Sequence, residues 1–271
     1  MKQRVMVAVV GIPLLLFVVL VLPTAATVLL VGAIAAMGAF ELLRATGKNV
    51  RHIQKLTIAM AALIPISRYF FGTPAMLCFA AFFVYALFAV SVHEYGKDPI
   101  PFSDLTACLV AGVVFPMFLG CIGLLRADPD YGKLYVLTPF VAAFAGDTFA
   151  MFGGMFFGKH KLAPHVSPKK TVEGCVAGLI GSAAGMVLWG LVAAQFNACP
   201  VDQLSLIAYG IAGGAVGQLG DLSLSVIKRE TGIKDYGHLL PGHGGIYDRF
   251  DSSMFIAPVY YLLFALKLGG Y

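Results

Sequence analysis

A polar block between residues 225 and 251 contains the side chains best suited to chemistry. Its sequence, SVIKRETGIKDYGHLLPGHGGIYDRFD, mixes cations with carboxylates between two apolar runs of membrane-spanning length. Mg²⁺ prefers oxygen ligands and keeps substrate phosphates in its coordination shell. Carboxylates and cations at this density beside a bilayer therefore indicate a divalent metal ion bound together with phosphate groups.

The apolar run before this block contains Asp221, with Ser225, Lys228 and Arg229 at spacings of four, seven and eight residues. On a helix these positions share one face. Charged groups inside membranes are costly and usually mark function. The spacing predicts Asp221 as a metal ligand and catalytic residue, Ser225 as a substrate-binding group, and Lys228 and Arg229 as phosphate-holding catalytic cations. An ion pair within the helix is the alternative.

Asp248 and Asp251 are three residues apart where the following apolar run begins. Two carboxylates on one helical face suit Mg²⁺, so both are predicted metal ligands, Asp248 also catalytic. Either one could instead cap the helix and interact with its dipole.

The segment between the two runs is rich in turn residues, with Pro-Gly-His-Gly-Gly at 241–245. Glycines let backbone N–H groups approach an anion. His243 is predicted to orient or contact a phosphate, and Asp235 and Arg249 are further substrate-binding candidates.

A second polar loop reads GKHKLAPHVSPKKTVEG over residues 158–174. Ser167 followed by Pro168 resembles a helix N-cap, which would put Lys169 and Lys170 in a first turn where the dipole disfavours cations. A bound phosphate would resolve that conflict, so Ser167 and both lysines are predicted to bind substrate. The alternative is that the lysines only set membrane orientation. Glu173 is predicted to bind substrate, through metal or ribose, or to pair with a lysine.

Asp147 lies within another apolar run, in FAGDTFAMFGG. With Asp221 it makes two carboxylates inside predicted membrane spans, and we expect it to be a further metal ligand.

The composition shows what must position these residues. Of 271 residues, 59% are hydrophobic and 12% charged, against about a quarter charged in soluble domains. An all-α polytopic membrane protein is predicted, since a spanning helix needs about 20 apolar residues. About nine transmembrane helices are expected, at 5–22, 25–42, 56–72, 75–92, 105–126, 134–158, 171–195, 203–227 and 251–268.

Charge distribution predicts the orientation of these spans. The nine-span arrangement places four of the 19 Lys and Arg residues on one side, namely Arg68, Arg126, Lys133 and Lys267, and the other 15 on the opposite side. Because cytoplasmic loops are enriched in Lys and Arg, the N-terminus is predicted to be cytoplasmic and the C-terminus outside. Loops 159–170 and 228–250 then both face the cytoplasm, where nucleotides are found.

Glycines spaced four apart are concentrated in the last three full spans, as in Gly174-x3-Gly178 and Gly210-x3-Gly214. Small residues at this spacing allow close helix packing. Residues 105–271 are therefore predicted to form the catalytic core. Residues 1–104 would be N-terminal transmembrane helices with an accessory or oligomerising role.

The polar block matches the pattern S-x-x-K-R-x4-K-D-x5-P-x-H-G-G-x2-D-R-x-D at every fixed position. It resembles the sequence motif of the phosphatidate cytidylyltransferase (CDP-diacylglycerol synthase) family. The segments Ser167–Gly174 and Gly146-Asp147-Thr148 also resemble elements of this family. The resemblance is strong over roughly the C-terminal half.

The resemblance implies an enzyme that converts CTP and phosphatidate to CDP-diacylglycerol and pyrophosphate in phospholipid synthesis. It implies Mg²⁺, with a second metal ion as an option, held by paired aspartates. We expect membrane lipids as partners, no nucleic acid, a homodimer, and a multi-pass protein of the bacterial inner membrane with a cytoplasmic active site.

The residues leave three alternative functions to consider. A transporter would account for midplane carboxylates and Gly-interrupted helices, but not for a long polar loop of cations and carboxylates. A CDP-alcohol phosphotransferase would need the pattern D-G-x2-A-R…G-x3-D-x3-D, which the sequence lacks. An enzyme that cytidylates dolichol or phytol would share most of the same residues.

Overall fold

A computed structural model describes residues 2–46, 51–195, 202–237 and 244–266, which are mostly helical. The helices are α1 (Lys2–Leu20), α2 (Thr24–Thr46), α3 (Arg51–Glu94), α4 (Phe102–Leu109), α5 (Phe115–Arg126), α6 (Gly132–Tyr135), α7 (Thr138–Phe157), α8 (Val172–Gln195), α9 (Gln203–Glu230) and α10 (Tyr247–Ala265). A π-helical segment, Val110–Val114, joins α4 to α5.

Six helical stretches in the described part of the chain are long and apolar enough to cross a membrane. They are Thr24–Thr46, Ile53–Glu94, Phe102–Arg126, Gly132–Phe157, Val172–Gln195 and Gln203–Glu230. The polytopic, helical prediction is therefore confirmed. The count of nine spans and the orientation of the termini stay predictions.

The long helix α3 covers two of the predicted spans, 56–72 and 75–92. It is interrupted at Gly72, where φ is 81° and ψ is −176°. Glycine adopts positive φ without a steric penalty, and Pro74 follows two residues later. A kink between two predicted spans is therefore encoded locally.

The chain packs as two compact units. Unit 1 comprises Met1–Leu124 with Thr231–Arg249, and unit 2 comprises Leu125–Glu230 with Phe250–Tyr271. This division concerns packing, so the predicted functional boundary between residues 104 and 105 stays a prediction.

In unit 1, α2 packs along α3. Buried apolar side chains such as Leu42, Ile64 and Phe83 form its interior. A Cβ atom at Gly112, in the π-helical segment, would lie 2.7 Å from the Phe83 ring. Glycine at position 112 thus permits close contact between the π-helical segment and α3.

In unit 2, α7 and α9 both pack on α8. The glycines predicted to allow close packing do so: a Cβ atom at Gly174 would lie 2.8 Å from the Ala150 carbonyl oxygen. The Ser182 hydroxyl donates to the Ala142 carbonyl at 2.9 Å. At the start of α9, the Ser205 amide donates to Asp202 at 2.9 Å and the Ser205 hydroxyl lowers the pKa of that carboxyl group.

A two-stranded antiparallel hairpin precedes α8, with β1 (Lys161–Ala163) paired to β2 (Ser167–Thr171). The all-α prediction omitted it, and the prediction of Ser167 as a helix N-cap is wrong. Thr171 is the cap instead, since its hydroxyl accepts a hydrogen bond from the Gly174 amide at 3.1 Å. Lys169 and Lys170 therefore lie in a strand before the helix, not in its first turn.

Candidate functional site

Unit 2 contains a cavity of about 430 Å³ between α7, α8, α9 and the β1–β2 hairpin. Four of the predicted site residues line it: Asp147, Lys169, Lys170 and Asp221. Apolar side chains such as Met151, which is exposed on α7, form part of its wall. The cavity therefore places anionic and cationic groups beside an apolar surface.

Asp221 is the centre of the polar lining. Its Oδ2 atom forms an ion pair with Lys170 Nζ at 2.5 Å, and its Oδ1 atom accepts a hydrogen bond from the Ser225 hydroxyl at 3.4 Å. Both charged side chains are 27% exposed. The hairpin thus supplies the counter-ion for a carboxylate of α9, and the pair stays accessible from the cavity.

Two more carboxylates of unit 2 interact with this centre. Asp147 on α7 is electrostatically coupled to Asp221 and Lys170. Asp251 on α10 is coupled to Asp221, Asp147 and Lys228, and its Oδ1 atom accepts a hydrogen bond from the Ser252 amide at 2.8 Å. Carboxylates from three helices therefore influence one another electrostatically in unit 2, and their role as metal ligands stays a prediction.

Oxygen-only donors suit a hard cation such as Mg²⁺. No three His, Cys, Asp or Glu side chains among the described residues lie close enough to enclose an ion by themselves. Mg²⁺ is usually held by one or two carboxylates, with water and substrate phosphates completing its shell. The residues present therefore fit a metal ion that binds together with a phosphate-bearing substrate.

Glu173 lies in the first turn of α8 and faces the base of the hairpin. Its carboxylate accepts hydrogen bonds from the Lys159 amide at 3.1 Å and the His160 amide at 3.2 Å, and contacts His160 Nδ1 at 2.6 Å. In the structure its partners are protein groups of the hairpin.

Arg229, at the end of α9, donates from Nε to the Val166 carbonyl oxygen at 2.9 Å. Val166 lies in the turn between β1 and β2. The guanidinium therefore holds the tip of the strand pair that carries Lys169 and Lys170. Glu173 and Arg229 together fix both ends of the hairpin.

Asp248, in the first turn of α10, belongs to unit 1. Its Oδ2 atom accepts hydrogen bonds from the Tyr236 amide at 2.8 Å and the Gly245 amide at 2.9 Å. Gly244, with φ of 81°, lies beside it, and a Cβ atom there would be 3.0 Å from the same oxygen. One oxygen of Asp248 thus connects Tyr236 and Gly245, two residues of the polar loop.

Two other predicted residues of the block lie at the protein surface. Asp235 and Arg249 are exposed. His243 lies outside the described residues.

Sequence reasoning missed a buried carboxylate in unit 1, Glu41 of α2, which is 4% exposed. Its Oε2 atom accepts hydrogen bonds from the Ile246 amide at 2.7 Å and the Tyr247 amide at 3.4 Å. An acidic residue inside the predicted span 25–42 was the available signal, because such residues usually mark function.

Sequence reasoning also missed Gln218, which lines the cavity and donates from Nε2 to the Cys175 carbonyl at 3.0 Å. An amide in a glycine-rich helix gave no distinctive pattern.

Comparison with known proteins matches residues 2–267 to the cytidylyltransferase family. The phosphatidate cytidylyltransferase of Bacillus subtilis (strain 168) is 33% identical over 274 residues, covering 98% of each chain. That of Thermotoga maritima is 30% identical over 273 residues, covering 99% of this chain and 98% of its own. That of Staphylococcus haemolyticus is 39% identical over 178 residues, which are 64% of each chain.

Proposed function

We propose that this chain, which belongs to the cytidylyltransferase family, transfers the cytidylyl group of CTP to phosphatidate. The products are CDP-diacylglycerol and pyrophosphate, for phospholipid synthesis. The observation that carries the proposal is the cavity of unit 2, where Asp147, Asp221, Lys169 and Lys170 lie beside an apolar wall. Relatives that align over nearly their whole length are phosphatidate cytidylyltransferases.

The proposed chemistry suits this lining. A phosphate oxygen of phosphatidate attacks the α-phosphorus of CTP, the new P–O bond forms, and the bond to pyrophosphate breaks. The nucleophile is already anionic near neutral pH, so no strong general base is needed. The main obstacle is repulsion between two polyanions, which fixed cations reduce by stabilising charge on the transferring group.

Asp147, Asp221 and Asp251 are the proposed holders of Mg²⁺ in unit 2. Asp248, three residues before Asp251 in α10, stays a proposed ligand, as does a second metal ion. Bound Mg²⁺ would neutralise phosphate charge and polarise the phosphoryl oxygens.

Lys170 has two successive partners in this proposal. It neutralises Asp221 through the ion pair seen in the structure. If Asp221 held a metal ion, the Lys170 ammonium would be free to contact a substrate phosphate. Lys169 contacts phosphate directly, since it lines the same cavity.

Lys228 would neutralise charge near Asp251, to which it is coupled. Arg229 and Glu173 would act mainly by anchoring the hairpin. Ser225 would orient Asp221. Asp235, His243 and Arg249 stay proposed substrate contacts on the basis of the motif.

The membrane arrangement is also proposed. Nine spans place the N-terminus and the loops 159–170 and 228–250 on the cytoplasmic side of the inner membrane. The cation distribution supports this side for CTP. Phosphatidate would reach the cavity sideways from the bilayer, and a homodimer is the proposed assembly.

The test uses purified protein in detergent or liposomes with CTP, phosphatidate and Mg²⁺. We expect equal amounts of CDP-lipid and pyrophosphate, and none of either when phosphatidate is left out or EDTA is added. Dolichyl or phytyl phosphate as acceptors are the matched controls. Faster turnover with either would overturn phosphatidate as the substrate.

A further inference from the structure

We infer that Glu41 of α2 is a positioning residue for the segment that carries Asp248 and Arg249. Glu41 lies 205 residues before Ile246, whose amide it binds, and outside the sequence motif. The inference rests on the proposed function, because that function assigns Asp248 to the reaction.

The Glu41 carboxylate binds the N-terminal end of α10 from a different helix. Its Oε2 atom accepts from the Ile246 and Tyr247 amides, at 2.7 and 3.4 Å. Amides at a helix start lack partners within the helix, and the helix dipole favours an anion there. Glu41 therefore satisfies groups that must be bound for α10 to begin at Tyr247.

Two glycines allow the backbone to approach this carboxylate. A Cβ atom at Gly245 would lie 2.5 Å from Glu41 Oε2, and one at Gly237 would lie 3.1 Å from Glu41 Cγ. Gly245 is the second glycine of the His-Gly-Gly motif. A fixed glycine in the motif thus has a physical reason: any side chain there would collide with Glu41.

Neighbouring positions of α2 contact the same segment. Gly38, one turn before Glu41, meets the Tyr247 ring, to which a Cβ atom would come within 2.5 Å. Arg44, one turn after, donates to the Tyr236 carbonyl at 3.4 Å. Three successive turns of one helical face thus contact described residues of this segment at 236–237 and 245–247.

These contacts connect Glu41 to Asp248. The two amides that Asp248 Oδ2 accepts from belong to Tyr236 and Gly245, and both lie in the segment that α2 holds. A buried carboxylate is costly unless hydrogen-bonded, and Glu41 Oε1 has no hydrogen-bond partner among the described residues. The hydrogen bonds of Oε2 to Ile246 and Tyr247 therefore offset the cost of burying this carboxylate and hold the segment that presents Asp248.

The test compares Glu41→Leu and Glu41→Gln with the unaltered protein. Asp104→Leu and Asp104→Asn are matched controls, because Asp104 is a buried carboxylate of α4 in the same unit whose hydrogen-bond donor is Ser103. Hydrogen–deuterium exchange of a peptide covering residues 244–250 reports the contact directly. We expect exchange about tenfold faster in Glu41→Leu, an intermediate rate in Glu41→Gln, whose carbonyl oxygen can still accept, and no change in the controls.

Kinetics on folded protein report the positioning. We expect kcat to fall about 100-fold in Glu41→Leu, since small misplacements of reacting groups cost about that much. The Mg²⁺ half-saturation should rise and the phosphatidate KM should stay within twofold of the unaltered value. Should Glu41→Leu fail to fold, Glu41→Gln and Gly38→Ala, which displaces Tyr247, provide the same comparison.

Unchanged exchange in residues 244–250 would overturn the inference. So would faster exchange with an unaltered kcat, or a lower melting temperature with normal kinetics, because each would leave Glu41 a structural role only. Absence of CDP-lipid formation by the unaltered protein would instead overturn the proposed function, and the exchange measurement would still decide whether Glu41 holds the segment.

Discussion

At the scale of single residues, Asp221 has the strongest combination of position and contacts. It lies in a glycine-rich membrane helix, pairs with Lys170 and accepts a hydrogen bond from Ser225. A carboxylate inside the membrane is energetically costly and usually marks function, and the ion pair with Lys170 offsets only part of that cost. We therefore expect the negative charge of Asp221 to take part in the reaction.

Replacing Asp221 by Asn should leave insertion intact and lower kcat by about a thousandfold, because metal and phosphate charge would no longer be balanced. The variant is measured at saturating Mg²⁺, with Asp98→Asn, an exposed carboxylate after α3, as the control. Turnover within tenfold of the unaltered protein would show that Asp221 is not a metal ligand.

The adjacent lysines 169 and 170 should behave differently. Lys170→Gln removes the cation that competes with Mg²⁺ for Asp221, so the Mg²⁺ half-saturation should fall about two- to fivefold while kcat decreases. Lys169→Gln should leave the Mg²⁺ half-saturation unchanged and raise the KM for CTP.

Titration of activity against Mg²⁺ at fixed CTP, and against CTP at saturating Mg²⁺, separates these effects. Equal responses of the two variants would contradict separate roles. A change confined to the phosphatidate KM would assign the lysines to the lipid headgroup.

Much of this residue set could be predicted from sequence. Asp147, Asp221 and the two lysines follow from charge in apolar runs and from the motif, and the structure brings them to one cavity. The pairing of Lys170 with Asp221 could not be predicted, because it joins residues 51 positions apart through a hairpin that the sequence did not reveal. Glu41 carried the same signal, a carboxylate in an apolar run, but it was missed because it lies outside the motifs.

At the scale of elements, the hairpin is the part that sequence patterns misassigned. Strands of three and five residues are too short to show alternation, and Ser-Pro is a strong helix-start signal. Tertiary contacts decide the outcome: Glu173 binds the hairpin base, Arg229 binds its turn, and Thr171 caps α8. Hydrophobic length, by contrast, predicted the long helices well.

Loosening the hairpin should raise the KM for CTP, although the proposed phosphate ligands Lys169 and Lys170 on the hairpin are kept. Arg229→Gln loses the guanidinium that donates to Val166, so trypsin should cleave at Lys161 or Lys169 faster and the KM for CTP should rise several-fold. The control is Glu230→Gln, which changes the neighbouring exposed residue. Unaltered cleavage in Arg229→Gln would show that the anchor contributes little, and a fall in kcat alone would favour a direct phosphate contact.

At the scale of the whole molecule, the span count decides which loops share a side of the membrane. Two helices, α8 and α9, separate the two motif loops, whereas α10, which is not among the six clearly apolar stretches of the described chain, decides the side of the C-terminus. It has 19 residues, about 28 Å of helix, close to the roughly 30 Å hydrocarbon core of a bilayer. Charged residues in its first turns lower its mean hydropathy without shortening it.

Cysteine labelling from outside tests this arrangement. In a variant without the five native cysteines, Asp130→Cys and Tyr271→Cys should react with an impermeant maleimide in intact cells. His165→Cys and Leu240→Cys should react only after permeabilisation. The reason is the excess of Lys and Arg on the side assigned to the cytoplasm.

Labelling of positions 165 and 240 in intact cells would show that the orientation is the reverse of the predicted one, with both motif loops separated from cytoplasmic CTP. Protection of position 271 alone would show that α10 does not cross the bilayer, leaving both motif loops on the cytoplasmic side but reducing the span count.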